Sequence, residues 1–297
     1  MNKPKLIVVA GTNASGKSAL GVALAEKYNA EIISADSRQV FRGFDLGSGK
    51  ITPEEMRGVR HHLIDVCGAG DFFSMHDFQK LAYRAIEDIL SRGKLPMIVG
   101  GTGLYIASVT DGYVMSDREP DLAYRDELEK LETPELYRML LEKVPDIQVD
   151  AKNRNRVMRI LEKLHDGDDH LPHKDPHYDC LKLGVTWDRE TLKARIDERL
   201  EKRMQQGMVD EVKSLLNQGA SVEFMNKLGL EYRYITQYLT GEIASEAEMC
   251  TQLSLAIKRF AKRQMTWFRR EKDMHWLNMT ADPFAQACAL IDDFLRG

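Results

Sequence analysis

The stretch KLIVVAGTNASGKS at residues 5–18 decides the fold, because it joins an apolar strand pattern to a phosphate-binding motif. Residues 6–10 form a continuous apolar run, and residues 11–18 fit GxxxxGK[ST], the P-loop motif. That motif requires a strand before it and a helix after it, and the residues from Ser18 to Tyr28 have a helical pattern. We therefore predict that this loop joins a buried strand to the N-terminus of a helix.

The chemistry of such a loop follows from its residue types. Glycines let backbone N–H groups converge on phosphate oxygens, and the helix N-terminus adds a favourable dipole. Lys17 supplies a positive charge, and the Ser18 hydroxyl is a candidate ligand for Mg²⁺. The predicted diphosphate- or nucleotide-binding residues are Gly11, Thr12, Asn13, Ala14, Ser15, Gly16, Lys17 and Ser18.

Further apolar runs extend the pattern beyond the loop. Residues 31–35 and 95–99 are short apolar segments, and residues 78–90 between them have helical spacing that stops at Gly93. Strands that alternate with amphipathic helices are typical of a parallel sheet covered on both faces. The sequence predicts an α/β fold with a P-loop NTPase-like core, a mostly parallel sheet covered by helices, and a small all-helical insertion domain. We predict core segments at residues 1–112 and 181–297, and the insertion at residues 113–180.

Composition excludes some classes of protein. The 297 residues are 43% hydrophobic and 30% charged with a net charge of −4, so the chain as a whole is not polybasic. The four cysteines lack the spacing of a zinc cluster or a disulfide framework. The start of the chain does not resemble a signal peptide, and no apolar run is long enough to span a membrane. We expect a cytoplasmic enzyme without membrane contact or an obligate protein partner.

Two polar residues follow the predicted strands. Asp36 comes after residues 31–35, and Thr102 follows residues 95–99 through two glycines, where an ATPase would carry a Walker-B carboxylate. Because ligands in such sheets bind at the carboxyl ends of the strands, both side chains are expected to face the phosphate loop. Two alternatives remain open: Asp36 as a turn cap, and Thr102 as a hydroxyl that bonds its own turn.

An ordered set of motifs resembles the tRNA dimethylallyltransferase (tRNA isopentenyltransferase) family over nearly the whole chain. The matching segments, in order, are residues 11–18, DSRQVF at 36–41, GSGK at 47–50, HHLID at 61–65, GGTGLY at 100–105, RVMRILE at 156–162, RIDER at 195–199 and AKRQMTWFR at 261–269. The resemblance implies transfer of a dimethylallyl group from dimethylallyl diphosphate to N6 of the adenine immediately 3′ of the anticodon in tRNA, with release of diphosphate.

The resemblance also assigns roles to residues. It implies that the loop and Mg²⁺ bind the leaving diphosphate, that Lys17 stabilises its growing charge, and that Asp36 accepts the N6 proton. It further implies that Thr102 donates a hydrogen bond toward the bridging oxygen, and that Gln39 can pair with an adenine edge. The target adenine must leave the anticodon-loop stack to reach the prenyl donor.

Contacts with the anticodon stem-loop of tRNA are expected from polar and basic residues. The predicted tRNA-binding residues are Asp36, Ser37, Arg38, Gln39, Thr102, Arg125, Arg154, Asn155, Arg156 and Arg159. The basic stretch at residues 258–272 is a second candidate surface, since it carries seven basic residues and one acid. As an alternative, Arg156 and Arg159 form a solvated helix face that pairs with Glu162.

The chain departs from the family pattern at residues 227–238. Where the family has a glycine–tyrosine–basic turn, this chain reads GLEYRY from Gly229, with Lys227 and Arg233 as two candidates for the basic residue. Three competing functions remain: an adenylate isopentenyltransferase acting on a free nucleotide, a P-loop kinase of small molecules, and a tRNA-binding protein without catalysis. The insertion and the basic stretch favour tRNA over a free nucleotide as the acceptor.

Overall fold

The computed structural model describes residues 3–115, 121–167 and 173–297. The chain divides into two compact units, which are described separately below. Unit 1 comprises Met1–Thr110 and His177–Gly297, and unit 2 comprises Asp111–Pro176. In the part of the chain that the structure describes, no helix is both long enough and apolar enough to cross a membrane.

Unit 1 is built on one six-stranded sheet in which every strand pair is parallel. The strands are β1 (Lys5–Gly11), β2 (Ala30–Ala35), β3 (His61–His62), β4 (Leu95–Gly100), β5 (Asp179–Thr186) and β6 (Met274–Asn278), in the spatial order β3-β2-β4-β1-β5-β6. The predicted parallel α/β core is confirmed. Strand β5 begins at Asp179, two residues before the predicted boundary at residue 181, and unit 1 resumes at His177.

The other regular elements that the structure describes are helices. They are α1 (Lys17–Lys27), α2 (Pro53–Met56), α3 (Met75–Ser91), α4 (Gly103–Thr110), α5 (Leu122–Glu129), α6 (Thr133–Lys143), α7 (Arg154–His165), α8 (Arg189–Gln205), α9 (Met208–Asn217), α10 (Val222–Leu228), α11 (Leu230–Leu239), α12 (Glu246–Phe268) and α13 (Pro283–Arg296). Helices α5 to α7 belong to unit 2 and the rest to unit 1. Helix α3 shows why they form: Ser74 and Asp77 make a reciprocal capping box, and its buried residues recur at helical spacing.

The alternation of side chains along β1 divides the core into two layers. Leu6 and Val8 pack on one face of the sheet with Phe78 of α3, while Ile7 and Val9 pack on the other with Leu24 of α1. A third cluster has no strand in it: α8 to α12 bury Phe41, Phe44 and Tyr232 between them. This third cluster attaches α8, α11 and α12 beside the carboxyl edge of the sheet.

The strand register aligns the carboxyl ends of the central strands. Ala35 of β2 and Ala10 of β1 both lie opposite Gly100 of β4, so three strands end at one level. The residues that follow them, 11–18, 36–39 and 101–102, therefore start from adjacent positions on one edge.

Unit 2 is a small helical unit. Helices α5, α6 and α7 pack around Leu128, Leu136, Leu140 and Leu161. The chain enters and leaves this unit side by side, because Asp175 N–H donates to Gly112 O at 2.7 Å. The described helices of this unit, α5 to α7, all fall within the predicted insertion.

Candidate active site

The phosphate loop, residues 11–18, lies between β1 and α1. Gly16 has φ of 87° and caps the N-terminus of α1, a left-handed conformation that favours glycine. Lys17 is buried, and its Nζ donates to Thr12 O at 3.2 Å across the loop. The hydroxyl of Ser15 is buried without a partner among the described residues. The loop thus presents polar groups that an anion would satisfy.

Two residues outside the motif fix this loop. Trp187 Nε1 donates to Ser15 O at 2.9 Å, and Arg195 Nε of α8 donates to Ala14 O at 3.0 Å. The Arg195 guanidinium lies 4.6 Å from the centroid of the Trp187 ring, as in a cation–π contact. Both contacts are made to carbonyl oxygens, so they occupy none of the loop's N–H groups.

Asp36 and Thr102 lie at the same edge of the sheet, linked through one backbone amide. Ser37 N–H donates to Thr102 Oγ1 at 3.1 Å, and Thr102 N–H donates to Ala35 O at 3.1 Å. Asp36 Oδ1 accepts from Arg38 N–H at 2.9 Å, so the carboxylate also caps the turn. The turn-cap alternative is therefore realised for Asp36, whereas the Thr102 hydroxyl bonds the neighbouring turn and not its own.

Gln264 of α12 connects the phosphate loop to the Thr102 turn. Its Oε1 accepts from Asn13 N–H at 3.0 Å, and its Nε2 donates to Gly101 O at 2.9 Å. The side chain is buried, so both bonds form in a medium of low dielectric. Gln264 lies in the matched segment 261–269, but that motif did not predict its bonds to Asn13 and Gly101.

An inner cavity of about 50 Å³ adjoins the phosphate loop. Its charged lining groups are Lys17, Asp36, Arg199, Arg203 and Glu231, and Ser18 also lines it. Burial lowers the pKa of Lys17 to about 8; the negative charge of Asp36 opposes this shift, while the charges of Arg199 and Arg203 add to it. Burial and the charge of Arg203 lower the pKa of Arg199 to about 10. Burial is the main cause of both shifts and neighbouring positive charges add to it, so a bound anion would raise both pKa values again.

A second cavity, the rim cavity of about 210 Å³, shares Asp36 with the inner cavity. It is lined by Arg38 and Thr102 together with residues outside the predicted site. These residues are Lys227, Glu231, Arg233, Phe260, Arg263 and Gln264. Lys227 and Arg233, the two candidates for the basic residue of the 227–238 segment, thus line the same cavity.

Gln39 lines the inner cavity, and its side-chain amide is bonded within the protein. Its Oε1 accepts from Ser34 Oγ at 3.1 Å and its Nε2 donates to Gly49 O at 3.2 Å. In this arrangement the amide orders the 47–50 segment. Arg38 instead lines the rim cavity and contacts Ser37 Oγ through its guanidinium.

The GSGK segment at residues 47–50 is a wall of the inner cavity fixed by Glu211. This carboxylate accepts from the N–H groups of Asp45, Leu46 and Gly47 at 3.1, 2.6 and 3.0 Å. Lys50 fixes the other end through ion pairs with Asp45 at 2.6 Å and Asp65 at 2.5 Å. The segment therefore serves to position Gly49 beside the arginines of α8.

The predicted tRNA-binding residues of unit 2 divide into three groups. The guanidinium of Arg154 bonds the carbonyl oxygens of Leu128, Glu129 and Leu131, so it caps the end of α5. Arg125 and Arg159 both approach the buried Glu162, at 3.7 and 3.0 Å. Asn155 and Arg156 are exposed. The pairing alternative therefore holds for Arg159. Arg125, Arg156 and Arg159 are all exposed, and Arg156 is the one of the three that forms no ion pair with Glu162 among the described residues.

One further group of side chains has the composition of a metal site. Glu31, His62 and Asp88 bring ligand atoms within 4.8 Å of one another. Arg92 and Lys94 also pair with the buried Glu31, and Arg92 holds its pKa far below the usual range. The cluster is an ion-pair network near the amino end of β2, away from the phosphate loop.

Comparison with known proteins shows which family has this arrangement. The family model described as IPP transferase matches residues 39–271. A curated relative named tRNA dimethylallyltransferase 2, from Shewanella sediminis, is 43% identical over 99% of this chain and 99% of its own length. A tRNA dimethylallyltransferase from Streptococcus pyogenes is 40% identical over 96% of this chain and 95% of its own length.

Solved structures give the same result for the fold. The tRNA isopentenylpyrophosphate transferase of Bacillus halodurans matches with a TM-score of 0.75 and 36% identity, over 99% of this chain and 96% of that one. A eukaryotic dimethylallyltransferase, described as acting on tRNA, matches with a TM-score of 0.82 and 26% identity, over 99% of this chain and 80% of that one.

Proposed function

The chain belongs to the IPP transferase family, and from that premise we propose that it transfers a dimethylallyl group from dimethylallyl diphosphate to N6 of the adenine 3′-adjacent to the anticodon in tRNA. The observation that carries the proposal is the junction of Lys17, Asp36 and Thr102 at one sheet edge, between two cavities. The inner cavity adjoins the phosphate loop and suits a diphosphate, and the rim cavity has the larger volume and suits a base.

The reaction exchanges one bond for another. The bond between the allylic carbon and the bridging oxygen breaks, the carbon bonds N6, and N6 loses a proton. Asp36 takes this proton in our proposal, and it lines both cavities, as a base acting between the two substrates must. The negative charge that develops on the departing diphosphate is stabilised by the loop N–H groups and Lys17.

Thr102 acts on the leaving group. Its oxygen already accepts from Ser37 N–H, so the hydroxyl proton is free to be donated to the bridging oxygen. A fixed donor aimed at a developing charge is the usual form of electrostatic catalysis in enzymes. The bond from Ser37 orients that hydroxyl before substrate binds.

The residues present fit a Mg²⁺ ion. Ser18 is exposed and lines the inner cavity beside Asp36, and oxygen donors with diphosphate oxygens are the ligands that this cation prefers. We propose that Ser18 would hold Mg²⁺ against the diphosphate, where the ion would supply charge neutralisation. Lys17 and the loop amides bind and orient the same anion independently.

The tRNA anticodon stem-loop is the proposed partner, and the cytoplasm the proposed compartment. Arg38, Arg233 and Arg263 line the rim cavity, where they would bind the phosphates that flank a flipped adenine. Arg156 of unit 2 is a separate exposed candidate for the stem. A free nucleotide would need no such contacts, which argues against the adenylate isopentenyltransferase alternative.

A prenylation assay with alternative acceptor substrates tests the proposal. The protein is incubated with dimethylallyl diphosphate and either unmodified tRNA or AMP, and prenylated adenine is measured by mass spectrometry. The matched control replaces dimethylallyl diphosphate with ATP. Product on tRNA alone is expected; product on AMP alone, or phosphoryl transfer from ATP without prenylation, would contradict the proposal.

A further inference from the structure

Two arginines of α8, one turn apart, line the inner cavity together with Lys17. Arg199 and Arg203 press against Gly49, where a Cβ would lie 2.2 Å from Arg199 Nη2 and 1.5 Å from Arg203 Nη2. Gly49 also has a left-handed φ of 63°, so a larger residue is excluded on both grounds. The segment 47–50 therefore leaves room for the two guanidinium groups side by side.

The donors of these guanidinium groups are poorly used within the protein. Arg199 Nη2 donates to Gly49 O at 3.3 Å. Arg203 has Glu231 Oε1 as its partner at 3.6 Å, which is longer than a hydrogen bond, and the two side chains are only 12% and 14% exposed. In the described part of the chain Arg203 has no shorter polar contact. A largely buried guanidinium with five donors and no acceptor within hydrogen-bond distance among the described residues is a site for an oxyanion.

The charge of the inner cavity agrees with this. Lys17, Arg199 and Arg203 face Asp36 and Glu231, which leaves a formal excess of one positive charge in a largely buried space. Because the three cations line one small cavity, their repulsion raises the free energy of the empty site, and a bound diphosphate would lower it. Lys17 belongs to the phosphate loop, Arg199 belongs to the RIDER segment, and Arg203 lies outside every matched motif.

We propose that Arg203 binds the diphosphate of the prenyl donor directly, beside Lys17 and Arg199, and that Glu231 is the counterion that holds its guanidinium in the free enzyme. This inference rests on the proposed function and adds a ligand to its donor site. Glu231 stands in the turn where the resemblance led us to expect glycine before the tyrosine. A carboxylate at that point is the only acid, among the described residues, that forms an ion pair with Arg203.

Calorimetric titration with inorganic diphosphate tests the ligand role of Arg203. Arg203→Met should weaken binding about tenfold or more, since hydrogen bonds to charged groups contribute about 1.5–3 kcal/mol. Arg203→Lys should recover part of the loss. The matched control is Lys193→Met, which removes the same charge from a partly exposed position of α8 that does not line the inner cavity, and it should bind as the wild type does. Wild-type affinity in Arg203→Met would overturn the inference.

Glu231→Gln tests the counterion role. Removing the carboxylate should tighten diphosphate binding, because Arg203 is no longer attracted away from the phosphate. In the Arg203→Met background the same change should have a much smaller effect, so the double-mutant cycle should show coupling. The double variant also removes both buried charges, which guards against misfolding from one unpaired group. Weakened binding in Glu231→Gln, or no coupling, would overturn the counterion assignment.

Steady-state kinetics separates this inference from the proposed function. In Arg203→Met the KM for dimethylallyl diphosphate should rise while the KM for tRNA stays within about twofold, a split that general destabilisation would not produce. If the wild type prenylates tRNA and Arg203→Met has an unchanged KM for the donor, this inference fails alone. If the wild type neither binds diphosphate nor prenylates tRNA, the proposed function fails.

Discussion

Asp36 combines a structural bond with a proposed chemical role, and an isosteric change can separate them. An asparagine side chain at this position would keep an oxygen to accept from Arg38 N–H, the bond of 2.9 Å that shapes the turn, but it is too weak a base for N6. We expect Asp36→Asn to lower kcat by about 10²–10⁴-fold, the range of general base catalysis. The affinity for tRNA, measured by filter binding, should stay near the wild-type value. An enzyme that retains its turnover would refute the base assignment.

Thr102 offers a matched pair of substitutions. Thr102→Ser keeps the hydroxyl that accepts from Ser37 N–H, whereas Thr102→Val keeps the shape and removes it. We expect kcat to fall about 10²-fold in Thr102→Val, as for loss of one oxyanion donor, and to change little in Thr102→Ser. Single-turnover kinetics at saturating donor would measure this step. Equal rates for the two variants would show that the hydroxyl is not required.

The Lys17 ammonium predicts a pH dependence of diphosphate binding. Its pKa is lowered to about 8, mainly by burial, so the free enzyme loses this cation as the pH rises through 8. Affinity for diphosphate should be constant below about pH 7 and should fall up to tenfold per pH unit above 8, because binding then requires uptake of a proton. Titrations at several pH values in wild type and Lys17→Met would show it. The affinity of Lys17→Met for diphosphate should not show this decline above pH 8. A decline of the same size in the variant would show that a group other than Lys17 causes it.

At the scale of elements, Gln264 couples α12 to two strand ends. Gln264→Glu keeps an acceptor for Asn13 N–H but replaces the donor to Gly101 O with a second acceptor. Because that carbonyl then lacks its partner and faces a carboxylate, we expect a loss of about 1–3 kcal/mol in unfolding free energy. The fold decrease in kcat should exceed the fold increase in the KM for either substrate. Denaturant unfolding and steady-state kinetics measure both effects, and unchanged kcat would mean that the link is only structural.

The elements themselves were largely predictable, for a physical reason. Strands β1, β2 and β4 are buried on both faces, so their sequences are mostly apolar, with Glu31 and Ser34 of β2 as polar exceptions. Strands β3 and β6 were not predicted: β3 is two histidines, and β6 at the sheet edge mixes buried and exposed residues over five positions. Such short or mixed segments carry no periodic signal that separates them from loops.

The site was predictable to the extent that it follows strand ends. Asp36 and Thr102 were identified because the carboxyl ends of parallel strands fix where the next residues lie. Arg203, Glu231 and Gln264 come from helices that are remote in sequence, and their contacts depend on how α8, α11 and α12 pack through the third core cluster. Helical spacing shows which face of a helix is buried, but not which neighbour that face meets.

At the scale of the whole molecule, affinity for tRNA should come from several phosphate contacts and therefore depend on salt. The chain has a net charge of −4, so its long-range attraction to RNA is weak and local contacts with phosphates must supply the affinity. Arg156 is an exposed cation of unit 2 that could make such a contact. We expect Arg156→Ala to weaken binding of an anticodon stem-loop and to reduce the slope of log K against log salt by about 0.7–0.9. Lys143→Ala, an exposed charge on α6, is the control and should leave the slope unchanged. Because a phosphate contact carries no sequence information, the loss should be equal for stem-loops that differ only in stem sequence. A loss that varies with the stem sequence would show that Arg156 contacts base edges instead.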